Sequence, residues 1–191
     1  MAGGIIAAST ASGMPTVWPV LAEAGYTVEA FPAKGDGGRA FEAGVRAGRF
    51  VGVLDLVTTE LAAELFGWAG GAGPDRMTAA GLMGIPQVIS VGCSTALTPE
   101  QADRLGLEIA QKACAAKGPT AIVLPLLGIL LAPLTDNPAP TEGEGGKAMH
   151  ALYQSLRNWI YGVELIEFPL HISDAEFSAA AEAKLLELIH R

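Results

Sequence analysis

The sequence is poor in cysteine and has no long uninterrupted apolar segment. Only two cysteines occur in 191 residues, Cys93 and Cys114, which excludes a disulfide framework and indicates a reducing compartment. The longest apolar stretch, 121–134, is interrupted by two prolines and a glycine and is shorter than the roughly 20 residues of a membrane span. No basic leader followed by an apolar run opens the chain, so no signal peptide is predicted. We therefore expect a cytoplasmic protein that is not inserted in a membrane.

Charged residues are also scarce, and cations more so than anions. The chain has 12 Lys and Arg against 20 Asp and Glu, giving a net charge of -8. Binding to a nucleic acid would need clustered cations, so this class of partner is not expected. Because 50% of the residues are hydrophobic and only 17% are charged, few charged residues are available to cover the surface. An oligomer would explain that imbalance.

The remaining pattern is typical of an α/β fold. Short aliphatic and β-branched runs alternate with helical patterns, which predicts a three-layer, doubly wound, Rossmann-like and mostly parallel sheet of about six strands. The length favours a single domain, 1–191, with a long loop at 127–146. The predicted strands are 4–8, 27–31, 50–56, 87–91, 121–126 and 163–168.

Three helices are predicted from capping residues and apolar spacing. A capping box at Thr98 opens a helix that ends at 117–119. A second helix carries a periodic apolar face over 149–160. A third opens with a capping box over 173–176, flanked by a hydrophobic staple. A further helix is expected to start at Asp75, after a glycine-rich run.

The most informative stretch is a glycine-rich loop after the second predicted strand. It matches the spacing G-x-G-x-x-A, precedes a short helix interrupted by Gly44, and is followed twenty residues later by Asp55. That spacing is found in dinucleotide sites, where the acid binds the ribose. The same loop could instead bind another phosphate or carboxylate, or be a plain tight turn. The candidate ligand-binding residues of the loop are Gly35, Gly37, Gly38 and Arg39.

A second group of candidates follows the third predicted strand. A carboxylate at the strand's end, Asp55, needs a partner if it is buried. The hydroxyls that follow can hold an oxyanion or simply cap a helix. Asp75 favours the start of its predicted helix, whereas Arg76 could clamp an anion or pair with Asp55. The ligand-binding candidates here are Thr58, Thr59, Glu60, Asp75 and Arg76.

A third group lies at the ends of the fourth and last predicted strands. Cys93 and Ser94 follow the fourth strand, where a nucleophile could lie. His171, at the end of the last strand, is the one histidine placed to act as an acid or base. Packing is the alternative role of Cys93. No histidines or cysteines have metal-ligand spacing, so no metal site is predicted.

The segments AKGDGGRAFE, GVLDLVTTELAAEL, AGPDRMTAAGLMGIPQVIS and HISDAEF resemble, in this order, one family. It is a widespread, largely uncharacterised family described as ATP-binding, and it includes a plant inhibitor of tobamovirus RNA replication. The resemblance implies ATP or another nucleotide as a ligand, and a shared site formed by the glycine loop, the Asp55 to Glu60 stretch and the pair Asp75 and Arg76. Family members usually carry a second, N-terminal domain before the one that this chain resembles. The resemblance therefore also implies a partner subunit that is similar to that N-terminal domain.

Three functions follow as hypotheses. The first is a domain that binds a small anion, either a nucleotide or a phosphorylated or carboxylated metabolite, and acts as a homo-oligomer or with a partner subunit. The second is an enzyme on such a metabolite, with His171 or Asp55 as acid or base. The third is a protein-interaction module anchored by Trp18, Trp68, Trp159 and the proline-rich segment 133–140.

Overall fold

A computed structural model of the chain describes residues 3–93, 97–129 and 144–191. Six strands form one sheet in which every pair of neighbours is parallel, in the order β2-β1-β3-β4-β5-β6. The predicted doubly wound sheet is confirmed, and the predicted strands match within two residues at each end. The strands are β1 (Ile5–Thr10), β2 (Thr27–Pro32), β3 (Gly52–Val57), β4 (Gln87–Gly92), β5 (Thr120–Pro125) and β6 (Glu164–Phe168).

Helices cover both faces of the sheet. The helices are α1 (Pro19–Glu23), α2 (Asp36–Arg46), α3 (Thr59–Phe66), α4 (Ala79–Met83), α5 (Pro99–Cys114), α6 (Glu144–Trp159) and α7 (Ala175–Ile189). One core joins α1 and α7 to alternate residues of the central strands, including Leu54 and Val123. The residues between them, such as Val53 and Ile122, pack against α2 to α6. This division follows from right-handed crossovers, because only the connection from β1 to β2 runs in the opposite direction.

The three helices predicted from capping residues and apolar spacing are all present, as α5, α6 and α7. Thr98 forms a reciprocal capping box with Gln101 at the start of α5, although that helix ends at Cys114, before 117–119. The apolar face of α6 lies in the core, where Leu152 and Leu156 are fully buried.

The predicted capping box over 173–176 is wrong. The N-cap of α7 is Asp174, and its side chain does not bond to the helix. Its Oδ2 instead accepts a hydrogen bond of 2.7 Å from the backbone N–H of His171, which tightens the turn after β6. The predicted staple residues Ile172 and Phe177 are both fully buried in the same core.

Two further predictions need correction in the region that holds the candidate site. The helix expected from Asp75 begins at Ala79, because residues 75–78 form turns and Met77 has φ +65°. Helix α2 is not interrupted at Gly44. There the missing side chain makes room for Phe50, whose ring would lie 2.8 Å from an added Cβ.

Some predictions lie beyond the three described ranges. Most of the loop 127–146, the proline-rich segment 133–140 and Ser94 fall there. Within those ranges, no helix combines the length and apolar character that crossing a membrane requires.

Candidate functional site

The strand order defines where a ligand site is expected. The chain leaves β1 toward β2 and leaves β3 toward β4, so its connections diverge between β1 and β3. In open α/β sheets, ligands bind at the carboxyl ends of the strands beside such a point. The glycine loop follows β2, at the sheet's edge, and is separated from β3 by β1. The two predicted halves of the site are therefore not adjacent through the sheet itself.

A buried carboxylate joins these two halves. Oε1 of Glu60, in the first turn of α3, accepts a hydrogen bond of 3.0 Å from the backbone N–H of Gly38. A Cβ at Gly38 would lie 2.1 Å from Oε2 of Glu60, and one at Gly37 would lie 1.9 Å from the carbonyl oxygen of Pro32. Both glycines are thus required by close contacts within the protein. Gly35, with φ +46°, forms the N-cap of α2.

Most amide groups of the glycine loop already have partners. The N–H of Gly35 donates to the Gly70 carbonyl at 3.0 Å, and that of Gly37 donates to the Lys34 carbonyl at 3.0 Å. With the Gly38 amide bound to Glu60, these three groups are satisfied internally. A ligand held by this loop would meet mainly its side chains.

Two cations border the glycine loop. Arg39 is exposed, forms an ion pair with Asp36 and donates a hydrogen bond of 3.1 Å to the Gly71 carbonyl. Lys34 is exposed, and its ammonium group has no ion-pair partner among the described residues. Lys34 is therefore the cation that is available to an external anion.

Beneath these loops lies a fully buried arginine. Arg76 has no exposed surface, and both of its terminal nitrogens donate to the carboxylate of Asp55, with Nη2 2.6 Å from Oδ1. Its Nε donates to Oε2 of Glu60 at 2.9 Å, and Nη1 donates to Oε1 of Glu42 at 3.3 Å. We call these four side chains, Arg76, Asp55, Glu60 and Glu42, the Arg76 network. It realises one of the two roles predicted for Arg76, pairing with Asp55.

The electrostatics of the Arg76 network are unbalanced, because three carboxylates face one guanidinium. Burial lowers the pKa of Arg76, but attraction to Asp55, Glu42 and Glu60 outweighs burial and holds that pKa above its ordinary value. Burial raises the pKa of Glu60, and the opposing effect of Arg76 does not cancel it. The arginine is thus permanently charged, and Glu60 accepts a proton more readily than an ordinary glutamate does.

Glu42 is the member of the network that the sequence prediction missed. It lies on α2, buried beside Phe41. Its carboxylate accepts hydrogen bonds from the N–H groups of Met77, at 2.6 Å, and Ala79, at 2.9 Å. An acidic residue on the apolar face of an otherwise amphipathic helix was the available signal. These bonds hold the turn at 75–78 and thereby fix Arg76.

The other candidates at the end of β3 have separate positions. Thr58 is fully buried, and its hydroxyl donates at 3.4 Å to the Gly92 carbonyl and does not cap α3. Thr59 is partly exposed at the first position of α3. Asp75 is exposed and forms an ion pair of 3.3 Å with Arg46, away from Arg76. The neighbouring residues Asp75 and Arg76 thus point to different environments.

Cys93 and His171 approach a common segment from opposite sides. The N–H of buried Cys93 donates to the Ile129 carbonyl at 3.0 Å. The imidazole of His171 packs on Gly128, where an added Cβ would lie 2.4 Å from Cδ2 of the ring. Its Nδ1 accepts a hydrogen bond of 3.2 Å from the N–H of Ser173. The segment 128–129 thus brings the ends of β4 and β6 together, apart from the Arg76 network.

Comparison with known proteins identifies a family. The profile of the "Uncharacterised protein family (UPF0261) C-terminal domain" matches residues 5–98 and 93–189. The chain belongs to the UPF0261 family. A UPF0261 protein of Clostridium tetani is 31% identical over 216 residues, covering 95% of this chain and 52% of the relative. The UPF0261 protein BMEII0128 of Brucella melitensis is 29% identical over 195 residues, covering 86% of this chain and 46% of the relative.

The UPF0261 relationship extends to plants. The "ToMV resistance protein Tm-1(GCR237)" of Solanum lycopersicum is 31% identical over 202 residues, covering 88% of this chain and 26% of that protein. The family resemblance inferred from the sequence motifs is thereby confirmed. The chain spans about half the length of the bacterial UPF0261 relatives that it matches.

Proposed function

We propose that this UPF0261 chain binds a small anionic ligand, either a nucleotide or a phosphorylated or carboxylated metabolite, at the carboxyl edge of its sheet. The observation that supports this most strongly is the position of the Arg76 network. It connects β3, α2, α3 and the turn 75–78 directly below the edge where doubly wound sheets bind ligands.

The Arg76 network is better explained by positioning than by stability. Removing four ionised groups from water costs several kcal/mol for each ion, so apolar residues of similar volume would often be as stable. A fully hydrogen-bonded network, however, fixes the backbone that carries it. Here it fixes the glycine loop through the Glu60 bond to Gly38, and the loop in turn presents Lys34 and Arg39. The proposal therefore assigns recognition of the anion to these cations.

The proposal includes assembly, either as a homo-oligomer or with a partner subunit that resembles the remaining half of the relatives. Beside the C-terminal half of α5, two hollows of about 330 and 380 Å³ share Gln111 and Ala115 as lining residues. Large apolar side chains are exposed around them, namely Leu82, Met83, Trp159 and Tyr161. Aromatic side chains of this kind are enriched at interfaces. The low cysteine content, two in 191 residues, fits a reducing, cytoplasmic location.

Calorimetric titration of the purified chain with ATP, pyrophosphate and citrate tests the binding proposal. We expect saturable binding of at least one of these anions. Lys34→Ala should weaken it about tenfold, the value of one charge-assisted contact. Lys117→Ala is the matched control, because Lys117 is also exposed but lies just before the start of β5, at the amino edge of the sheet. If none of the three anions binds saturably, the proposal is rejected. An equal loss of affinity in Lys34→Ala and Lys117→Ala would indicate only a general charge effect.

Native mass spectrometry tests the assembly. We expect a dimer or a larger complex for the wild-type chain and a monomer for Tyr161→Glu, since Tyr161 is 76% exposed beside one of the hollows. A wild-type chain that stays monomeric without a co-purified partner would refute this part of the proposal.

A second candidate function is an enzyme that acts on such a metabolite. The observation that favours it is His171, partly exposed at the end of β6, whose Nδ1 is held by Ser173. Both carboxylate oxygens of Asp55 accept from Arg76, so we assign the acid or base role to His171 in this candidate. If a substrate is turned over, His171→Asn should lower kcat by about 10² or more. Unchanged kcat would exclude this role.

A further inference from the structure

The two strands beside the topological divergence separate at their carboxyl ends. Pairing between β1 and β2 continues to Thr10, and pairing between β3 and β4 continues to Val57. Pairing between β1 and β3 stops earlier, at Ala8 and Leu54. A gap thus opens between the last residues of β1 and β3, in the middle of the sheet.

A single side chain forms the floor of this gap. Oγ of Ser9 accepts a hydrogen bond of 3.0 Å from the N–H of Val57, in place of the missing backbone pairing. Ser9 is 2% exposed, so this hydrogen bond lies in the interior, below the loops that follow β1 and β3. We call this opening the β1–β3 crevice.

The loop after β1, residues 11–18, forms one rim of the crevice. Ser12, Gly13 and Thr16 are exposed, and Gly13 has φ +89°. Within the part of the chain that the structure describes, the hydroxyls of Ser12 and Thr16 have no hydrogen-bond partner. This loop therefore offers donors that the protein itself does not use, in contrast to the glycine loop.

A cation lies beside the same rim. The N–H of Ala33 donates to the Thr10 carbonyl at 2.8 Å, which places Lys34 one residue beyond the end of β1. The loop 11–18 contains no charged residue. Lys34 is exposed and directly follows Ala33, which contacts the end of β1, so it can supply a positive charge on this side of the crevice.

We propose that the anionic group of the ligand, a phosphate or carboxylate, binds in the β1–β3 crevice. Ser12, Gly13 and Thr16 hydrogen-bond to it and Lys34 balances its charge, while the glycine loop serves as support. This inference rests on the proposed function and names the residues that carry it out. It departs from the sequence prediction, which placed the anion on Gly35, Gly37 and Gly38.

Amide NMR titration of the ¹⁵N-labelled chain with pyrophosphate, ATP and citrate as separate probes tests the inference. We expect the largest saturable shifts at Ser12, Gly13 and Thr16, and small shifts at Gly37 and Gly38. Saturable shifts centred on the glycine loop would overturn the crevice and leave the proposed function standing. No saturable shift with any probe would overturn both. A response to citrate alone would assign the site to carboxylates, and a response to the two phosphates would assign it to phosphoryl groups.

A charge substitution tests the same point without assignments. Ser12→Glu places a negative charge in the crevice and should weaken binding of the responding probe at least tenfold. Gln154→Glu adds the same charge at an exposed position on α6 and should leave binding unchanged. Circular dichroism of both variants confirms that each is folded. Equal affinities of the two folded variants would overturn the crevice as the site.

Discussion

Replacing Arg76 with methionine tests whether the Arg76 network carries the structure described above. The substitution keeps most of the side-chain volume but removes a guanidinium that has no exposed surface. Asp55 would lose both of its arginine hydrogen bonds, and Glu60 and Glu42 would lose one each. Asp55 and Glu60 would then remain buried without a cation, and Glu42 would keep only its contact of 3.9 Å to Arg46.

The expected loss is large. Removing one partner of a buried ion pair costs about 3–5 kcal/mol, and the two contacts to Asp55 place this site toward the upper value. For a chain of this size, that corresponds to a fall in Tm of roughly 6–20 °C. Urea unfolding followed by circular dichroism, with calorimetry for Tm, measures both quantities. Arg39→Met is the matched control: its ion pair with Asp36 is exposed, so the expected change is about 0–1 kcal/mol.

The pH dependence provides a second readout. Burial already raises the pKa of Glu60 in the presence of Arg76, and removal of the cation should raise it further. An acid with a raised folded-state pKa stabilises the fold below its unfolded pKa and loses that contribution as pH rises. The deficit in the free energy of unfolding of Arg76→Met, relative to the wild type, should therefore shrink as the pH is lowered from neutral to about 5. A deficit below about 1 kcal/mol at neutral pH, or one equal to that of Arg39→Met, would refute the reasoning.

Three other predictions concern single positions. Gly38→Ala should cost roughly 1–3 kcal/mol in urea unfolding, because its Cβ would lie 2.1 Å from Glu60, whereas Gly146→Ala, with no atom within 4 Å, should gain about 0.5–1 kcal/mol. Similar stabilities of these two variants would contradict the contact at Gly38. Thr98→Ala removes the capping box of α5 and should lower the free energy of unfolding by about 1 kcal/mol, and a loss within measurement error would contradict it. Burial raises the pKa of Glu182 above 4.5, so wild-type stability should decline relative to Glu182→Gln as pH rises above that value. A constant difference between the two proteins across this range would exclude that ionisation.

Most of the fold could be predicted because its signals are local. Each strand is a short aliphatic run, and each crossover is long enough to return parallel, so a parallel sheet follows without long-range information. The capping box at Thr98 was correct because both of its partners lie within one turn. At Asp174 the same kind of pattern failed, because the carboxylate bonds to His171 in the preceding turn.

The candidate site was harder to predict because its contacts are distant in sequence. Asp55 and Arg76 were expected as a pair, but Glu42 reaches Arg76 from 34 positions away and has no motif. The glycine loop had the spacing of a ligand site, yet Gly38 accommodates the protein's own Glu60. A glycine motif shows that something approaches the backbone closely, and the sequence does not reveal whether that group is internal or external.

The distribution of helices has a consequence for how the chain is made. Helix α7 covers β3, β4 and β5 on the face that it shares only with the short α1 among the described helices. Until residues 175–189 leave the ribosome, α1 is the one helix of the described ranges that covers that face of the central strands. The nascent sheet therefore exposes an apolar surface throughout synthesis of the preceding elements, a condition that favours chaperone binding and aggregation. The helical layer on this face is complete only after α7 has been synthesised, and only then are the central strands protected on that face.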